Sequence, residues 1–366
     1  MDDVISLAVG EPGFQAADHI IEAAERTLRN TPMHYTDVPG ILPLREAIAA
    51  YTLMHKGLSY DPGTQTQVTH GATTALSLAF TTLVEPGDEV ILGSPYFSTY
   101  ENMVITAGGI PVPVPLRAAD GFHHRAEQIE AALSERTRVI VLNSPGNPTG
   151  AVTTLREWEQ IADLARQHDL WVISDEVYHR FLYDDAAFFS IAALPEMQER
   201  TLLIDSFSKT YAMTGWRLGY MHGPSEVIAH TSALAEAVTS SNNAASQAAG
   251  LAALTGPQDA LEHMLAQYTH NRAIVQAAVQ DSGGLLSLPS VEGAFYAFID
   301  IRKTGVTSHD FALGLLHTRH VAVVPGDAFG PQGQGWIRVS YVGNQDELAE
   351  GMHRLADYAR ECAALG

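Results

Sequence analysis

The sequence predicts an α/β fold with a large domain built on a mostly parallel sheet and a smaller α+β domain. Short apolar runs with little alternation, such as residues 138–142 and 170–174, are separated by helical patterns of ~10–15 residues. Strands of this kind are buried on both faces, which is typical of a parallel sheet covered by helices. The pattern changes near residue 257, and at ~100–200 residues per domain a chain of 366 residues holds two or three structural units.

The first part of the chain alternates between helical and strand-like segments. Helical spacing of apolar residues marks 18–29, and Pro43 suits the first turn of a helix over 44–51. Further helices are predicted over 73–83, 99–107, 128–133 and 155–168. Strands are predicted over 67–69, 89–92, 112–114, 138–142, 170–174, 202–206 and 218–220.

The last third of the chain has the pattern of a second unit. Residues 226–254 are rich in Ala and Ser with helical stretches, and 257–280 is predicted as one long helix that breaks at 281–284. Later strands are predicted over 294–301, 321–324 and 336–340, and later helices over 308–317 and 345–360. We therefore expect an N-terminal segment (1–30) that contributes to the small domain, a large domain (31–256), and a linking helix with the small C-terminal domain (257–366).

Composition excludes several classes of protein. The formal net charge of −21 disfavours nucleic acid as a partner, because affinity for phosphates comes mainly from basic side chains. No apolar run approaches the ~20 residues that a membrane span needs, and the first residues lack the pattern of a secretory signal. Cys362 is the single cysteine, and the pairs His123-His124 and His317/His320 lack further ligands at metal-binding spacing. We expect a soluble, cytoplasmic enzyme without a metal site.

Lysine is scarce, which narrows the search for an amine nucleophile. The chain has three lysines: Lys56, Lys209 and Lys303. Lys209 follows the predicted strand over 202–206 and is flanked by small hydroxyl residues, which suits the amine of a buried Schiff base. Arg217, eight positions later, can clamp an anion with its fork of N–H donors.

Polar residues follow other predicted strands at the point where each strand ends. Asp175 comes directly after the strand over 170–174, where a carboxylate is costly unless it meets a cation such as a protonated heteroaromatic nitrogen. A helix cap is the alternative role for this Asp. Asn147 lies in a Pro/Gly loop after another strand, and the small residues of 71–75 let helix amides approach an anion. Because ligands bind beyond the carboxyl ends of such strands, we expect these segments to meet.

Together these segments resemble the fold-type I enzymes that use pyridoxal 5′-phosphate (PLP), and specifically the class I, aspartate aminotransferase-like family. The combination of the Lys209 segment with Asn147-Pro148-Thr149-Gly150 is the most specific part of the resemblance. The matching segments occur in family order over nearly the whole chain: 9–14, 35–45, 71–73, 95–97, 147–150, 175–178, 206–219 and 338–340. The resemblance implies an aminotransferase that passes the amino group of an L-amino acid to a 2-oxo acid.

The resemblance also implies catalytic roles for three residues. Lys209 forms the Schiff base with PLP and then moves the proton between the substrate Cα and the cofactor. Asp175 pairs with the pyridinium nitrogen and keeps it protonated, so that the ring accepts the electrons of the carbanion. Tyr178 and Asn147 donate hydrogen bonds to the ring oxygen O3′.

Further residues are implied to bind the cofactor and the substrate. The phosphate contacts are expected from Gly71, Ala72, Thr73, Ser206, Ser208 and Arg217, with Tyr35 reaching the phosphate of the neighbouring subunit in a homodimer. Phe97 stacks on the ring. Arg338 binds the substrate carboxylate as a bidentate pair, with Gly10 and Asn147 beside it.

Two other functions remain open from the sequence. A C–S β-lyase, or another eliminating enzyme of the same fold, differs around the substrate side chain, which one sequence does not reveal. A non-catalytic sensor of PLP or amino acids is disfavoured by the net charge of −21 and by the complete catalytic set. Thr73 stands where some aspartate-using relatives carry a lysine, which weakens aspartate as the preferred donor.

Overall fold

The computed structural model describes residues 3–365. Residues 1, 2 and 366, which the predicted domain division includes, lie outside the described residues. The strands are β1 (Ile5–Ser6), β2 (Thr66–Thr69), β3 (Glu89–Ser94), β4 (Ile110–Pro115), β5 (Thr137–Asn143), β6 (Trp171–Asp175), β7 (Thr201–Ser206), β8 (Gly219–His222), β9 (Tyr296–Asp300), β10 (Val321–Ala322), β11 (Val324–Pro325) and β12 (Trp336–Ser340).

The helices cover both faces of the larger sheet and form the outside of the smaller unit. They are α1 (Asp18–Asn30), α2 (Leu42–Lys56), α3 (Gly71–Leu83), α4 (Thr99–Thr106), α5 (Ala126–Glu130), α6 (Leu155–Gln167), α7 (Phe207–Thr210), α8 (Ser225–Val238), α9 (Ala244–Thr255), α10 (Asp259–Gln280), α11 (Ser308–Arg319) and α12 (Gln345–Leu365). None of these described helices combines the length and the apolar character that crossing a membrane requires.

The large sheet has seven strands in the order β2-β8-β7-β6-β5-β3-β4. The five strands from β7 to β4 are parallel, and β8 runs antiparallel to both of its neighbours. Asn143 pairs in register with Asp175, and Asp175 with Ile204, so the carboxyl ends of β5, β6 and β7 lie side by side. The predicted fold class is confirmed.

The apolar run of β5 shows why these strands lack alternation. Val139 and Val141 pack into a cluster with residues of α3, α4 and α8, whereas Ile140 and Leu142 pack with Trp158 and its neighbours on α6. All four aliphatic side chains are buried, and each contributes about 1.5–3 kcal/mol on burial. The two-sided packing fixes the position of the strand and of the polar residues that follow it.

The smaller unit contains an antiparallel sheet in the order β11-β12-β9, covered by the long helices α10 and α12. Strand β1 pairs in parallel with β10, through Ile5 opposite Val321. Helix α1, however, packs on α9 of the larger unit through Ile20 and Ala24. The predicted boundaries at residues 30 and 256 stay a prediction.

Candidate active site

A cavity of about 460 Å³ opens at the carboxyl ends of β5, β6 and β7 and reaches the smaller unit. Most residues that the sequence predicts for the site line this cavity: Gly10, Ala72, Thr73, Phe97, Asn147, Asp175, Tyr178, Ser206, Ser208, Lys209, Arg217 and Arg338. Gly71 lies directly behind Arg217, and Tyr35 is 88% exposed outside the cavity. The topology thus brings together distant parts of the chain, as where the Arg338 side chain reaches the Ala8 carbonyl, 330 residues away.

Lys209 lies on the short helix α7 at the edge of the cavity. The Ser206 side chain caps this helix by accepting a hydrogen bond from the Ser208 amide at 3.0 Å. The Lys209 ammonium donates to the Gly10 carbonyl at 2.6 Å. Burial, together with the nearby Arg338 and Arg217, lowers the pKa of Lys209 to about 8, although the charge of Glu11 opposes the shift. A substantial fraction of this amine is therefore neutral and nucleophilic near physiological pH.

Asp175 ends β6 and is buried. Its Oδ2 accepts a hydrogen bond from the Tyr100 hydroxyl at 2.6 Å. Burial, helped by the charges of Asp205 and Glu176 and opposed by the hydrogen bond from Tyr100, raises the pKa of Asp175 to about 6. Within residues 3–364 no cationic side chain forms an ion pair with it. A buried carboxylate at a cavity wall fits the protonated ring nitrogen of PLP.

Arg338 projects from β12 and is buried against aromatic rings. Its guanidinium lies 4.5 Å from the centre of the Tyr296 ring and 5.0 Å from that of Phe329. It donates to the Asn147 side-chain oxygen at 3.0 Å and to the Ala8 carbonyl at 2.6 Å, while its Nε finds no acceptor among the described residues. A partly satisfied, aromatic-flanked guanidinium fits the bidentate binding of a carboxylate.

Hydrogen bonds hold Asn147 beside this arginine. The Asn147 backbone amide donates to the Asn143 side-chain oxygen at 2.8 Å, and the Asn143 side-chain amide donates to the Asp175 backbone carbonyl at 2.9 Å. The loop that carries Asn147 is therefore anchored to the ends of β5 and β6. Through Asn147 and Asn143, Arg338 on the small sheet is linked by hydrogen bonds to the strand ends of the large sheet.

Arg217 and the start of α3 form the anion-binding corner of the cavity. Gly71 begins α3 with φ +79°, and a Cβ at this position would lie 2.6 Å from the Arg217 Nη2. The backbone conformation therefore favours glycine here, and a larger residue would push the Arg217 guanidinium away from this corner. Ala72 and Thr73, in the first turn, offer helix amides to the same region. The corner fits the phosphate of PLP.

Two tyrosines of the site lie outside the sequence prediction. Tyr100 donates to Asp175, and the Tyr296 hydroxyl lies 2.9 Å from the Tyr178 hydroxyl. A Cβ at Gly10 would collide with the Tyr296 hydroxyl, which explains the glycine there. Both tyrosines lie in elements that the sequence predicts, yet nothing in their spacing distinguishes them from core aromatic residues.

Of the two predicted aromatic contacts to the cofactor, the structure places Phe97 in the cavity but leaves Tyr35 outside it. Phe97 lines the cavity and meets Tyr100 edge-on, with ring centres 5.4 Å apart. Tyr35 does not reach the cavity of its own chain, and its contact with a neighbouring subunit stays a prediction.

No cluster of three or more potential metal ligands occurs in the part of the chain that the structure describes.

The other two lysines are not placed to act as the cavity nucleophile. Lys303 is exposed and donates to the Gly284 carbonyl at 2.9 Å. Lys56 is buried beneath the sheet ends, with its Nζ between the carboxylates of Glu176 and Asp205. Among the described lining residues of the cavity, Lys209 is therefore the one primary amine.

Comparisons with known proteins agree with this geometry. A family model described as "Aminotransferase class I and II" matches residues 2–355. The aspartate aminotransferase of Pyrococcus abyssi is 40% identical, covering 99% of this chain and 93% of its own. Aromatic-amino-acid aminotransferase 2 of Thermococcus litoralis is 38% identical over the same shares of the two chains, 99% and 93%.

The likeness extends to a solved structure. The crystal structure of an aromatic aminotransferase from Pyrococcus horikoshii OT3 matches with a TM-score of 0.96 and 40% identity, over 99% of this chain and 97% of that chain. These matches confirm the resemblance that the motifs predict, and they show that the chain belongs to the family of class I and II aminotransferases.

Proposed function

We propose that this chain is a PLP-dependent aminotransferase, which moves the amino group of an L-amino acid to a 2-oxo acid as a cytoplasmic homodimer. The family depends on PLP, and the relatives compared above carry aminotransferase names. The observation that carries the proposal is the Lys209 amine, with a pKa of about 8, in one cavity with two guanidinium groups, those of Arg217 and Arg338. One amine and two separate anion-binding groups match a cofactor phosphate and a substrate carboxylate.

The residues of the site indicate which parts of the reaction PLP would supply and which the protein would supply. When bound, PLP supplies an aldehyde that condenses with amines and a ring that withdraws the electron pair left at the substrate Cα. Lys209 would hold the cofactor and could carry the Cα proton, for which an amine pKa near the working pH is suitable. Asp175 would keep a proton on the ring nitrogen, and Arg217 with the first turn of α3 would hold the phosphate.

Arg338 and Asn147 orient the substrate. A guanidinium that is buried between two rings binds a carboxylate in one plane through two parallel N–H bonds. Asn147 accepts one of the Arg338 N–H groups and so fixes the plane of the fork. The carboxylate is held at a fixed position relative to Lys209, which places the Cα proton within reach of the amine.

The remaining lining of the cavity disfavours donors with an acidic side chain. It includes the apolar residues Val9, Val324 and Ala328. Once Lys209, Arg217 and Arg338 are assigned, no lysine or arginine is left over among the described lining residues, and Glu11 is the remaining charged side chain of the substrate region. A second carboxylate on the substrate therefore lacks a cation in this subunit and meets a like charge.

The homodimer is supported by an exposed apolar surface around the segment that carries Tyr35. Met33, Tyr35 and Val238 are exposed, and the Thr36 amide donates to the Ser241 side chain at 3.3 Å, which brings the two segments together. An exposed apolar surface of this kind marks an interaction site. Sedimentation equilibrium tests this part of the proposal, and a monomer at micromolar concentration contradicts it.

A single-turnover spectral screen tests the function. The protein is loaded with PLP, each natural amino acid is added alone without any oxo acid, and the absorption of the cofactor is followed. We expect a subset of amino acids, chiefly without an acidic side chain, to convert the cofactor to its pyridoxamine form. Release of pyruvate and ammonia without that conversion identifies a lyase, and a spectral change without any product identifies a sensor; either result overturns the proposal.

A further inference from the structure

A buried ionic cluster lies directly behind the proposed active site. We define the Lys56 cluster as Lys56, Glu176, Asp205 and His179. The Lys56 side chain is 0% exposed, and its Nζ donates to Glu176 Oε2 at 2.9 Å and to Asp205 Oδ2 at 2.7 Å. His179 Nδ1 lies 3.2 Å from the same Asp205 oxygen. A buried cation with two carboxylates is expensive to desolvate, so its presence needs an explanation.

Hydroxyl groups complete the cluster. The Ser174 and Ser190 hydroxyls donate to Glu176 Oε1 at 2.9 and 2.6 Å. Asp205 Oδ2 also accepts from the Tyr220 hydroxyl at 3.0 Å, and its Oδ1 accepts from the Ser206 amide at 2.7 Å. With all four carboxylate oxygens bonded, the cluster is a rigid unit.

Each carboxylate of the cluster is the chain neighbour of a residue in the cavity. Glu176 follows Asp175, and Asp205 precedes Ser206 at the cap of the helix that bears Lys209. His179 likewise follows Tyr178. The cluster therefore joins, from behind, the two chain segments that carry most of the cofactor-facing residues, 175–179 and 205–209.

The charges of the cluster also act on Asp175. Asp175, Glu176 and Asp205 are three buried carboxylates, and Lys56 is the cation that contacts two of them. His179 and the histidines and tyrosines packed around the cluster are neutral near pH 7, because burial lowers the pKa of the histidines, to about 3 for His179 and His222, and raises the pKa of the tyrosines. These neighbours are His55, His222, Tyr51, Tyr60, Tyr211 and Tyr220. Arg180 is a nearby cation, but its guanidinium lies 3.5 Å from the Tyr51 hydroxyl and forms no ion pair with Glu176 or Asp205. Lys56 thus supplies the positive charge that directly offsets the carboxylates behind the site.

We propose that Lys56 is a positioning residue for the reaction: through Glu176 and Asp205 it fixes the ends of β6 and β7 and limits the negative charge around Asp175, so that this carboxylate pairs with the ring nitrogen of the cofactor. This inference rests on the proposed function in one respect, the assignment of Asp175 to the ring of PLP.

The test measures PLP binding to the full-length protein as a function of pH, together with the pH midpoint of the absorption band of the bound cofactor. Lys56→Met leaves two carboxylates uncompensated, and we expect PLP to bind ~10-fold more weakly, equivalent to ~1.4 kcal/mol. The pH below which binding is lost rises by about one unit, since like charges favour the protonated form of Asp175. Asp205→Asn removes one negative charge instead, so this pH falls.

Two further variants complete the design. The double variant Lys56→Met/Asp205→Asn removes one charge of each sign, and we expect PLP affinity to return to within about threefold of the original protein, or ~0.7 kcal/mol. Lys303→Met, at an exposed lysine, is the matched control and leaves binding unchanged.

Opposite pH shifts for the two single variants support the proposal. If both variants lower thermal stability but leave PLP affinity and both pH readouts unchanged, the cluster is only structural and the proposal is wrong. If Lys56→Met does not fold, Asp205→Asn decides alone, since an unchanged or raised pH for the loss of PLP binding contradicts the proposal. These readouts do not require turnover, so they stay informative even if no amino acid is converted.

Discussion

Lys209 and Lys56 are both withdrawn from water at the same end of the sheet, yet their surroundings have opposite effects. Burial and neighbouring arginines lower the pKa of Lys209 to about 8, and its ammonium contacts the carbonyl of Gly10. Burial also acts to lower the pKa of Lys56, but Asp205 and Glu176 outweigh it and raise the pKa. Burial alone therefore does not make a lysine reactive. Among the described residues no carboxylate forms an ion pair with Lys209, which leaves the amine able to give up its proton.

The largest expected effect follows from removing the reactive amine. Lys209→Ala loses both the attachment point of PLP and the group that carries the Cα proton, and we expect single-turnover conversion to fall by at least ~10⁴-fold. Lys303→Ala is the matched control with full activity. The comparison of the two buried lysines breaks down if Lys209→Ala keeps substantial activity, because Lys56 would then be serving as the amine.

The second effect concerns stability at the other lysine. Lys56→Met leaves Glu176 and Asp205 buried without their cation, and the free energy of unfolding should fall by about 3–5 kcal/mol. Urea denaturation of the cofactor-free protein measures this loss. The charge-balanced variant Lys56→Met/Asp205→Asn should lose less, and an equal or larger loss would show that packing around the lysine stem matters more than its charge.

Arg338→Ala tests how the surroundings of Lys209 set its pKa and bind the substrate. The guanidinium helps to lower the pKa of Lys209 and is proposed to bind the substrate carboxylate. We expect the amino acid to bind about 2–3 kcal/mol more weakly, since one partner of a buried charge pair is lost. The acid limb of the pH–rate profile should also move upward, because the amine then keeps its proton to higher pH. Unchanged substrate affinity rules out Arg338 as the carboxylate ligand.

Asp175→Asn should have the smallest effect. It should raise the stability of the cofactor-free protein, whereas Lys56→Met lowers it. The carboxyl has a pKa of about 6 in the folded protein against 3.8 for the free side chain, so its ionised form is disfavoured by folding. Replacing it should stabilise the cofactor-free protein by about 1–3 kcal/mol above pH 6, a gain that disappears as the pH falls below about 4. Denaturation of this variant across that pH range measures the effect, while PLP binding should weaken. A uniform loss of stability at all pH values contradicts the assignment.

The local pattern of the sequence predicted the fold class and the strand-end residues Asn147, Asp175 and Lys209, which the structure places around one cavity. The other proposed site residues, such as Tyr178, Phe97 and Arg338, came from the family resemblance. Apolar runs buried on both faces, as in β5, leave little choice but a covered parallel sheet, and its strand ends necessarily bring Asn147, Asp175 and Ser206 to one edge. Lys209 followed from the scarcity of lysine and from its position after a strand. Helix and strand limits differ from prediction by a few residues, as for α2, which continues to Lys56.

Contacts made across the fold could not be predicted in this way. Tyr100 and Asp175 are 75 residues apart, and Lys56 is 120 and 149 residues from its two carboxylates. No local spacing links such pairs, because packing of whole elements brings them together. The sequence identified Lys56 as a candidate amine, and only the fold shows that two carboxylates hold it in its charged form.

Chemical trapping tests the distinction between the two lysines most directly. The protein is loaded with PLP, reduced with borohydride so that the cofactor stays covalently attached, and digested for peptide mapping by mass spectrometry. We expect the pyridoxyl group on the peptide that contains Lys209 and on neither of the other two lysines. Label on Lys56 would contradict the conclusion that its carboxylate partners keep it protonated and unreactive.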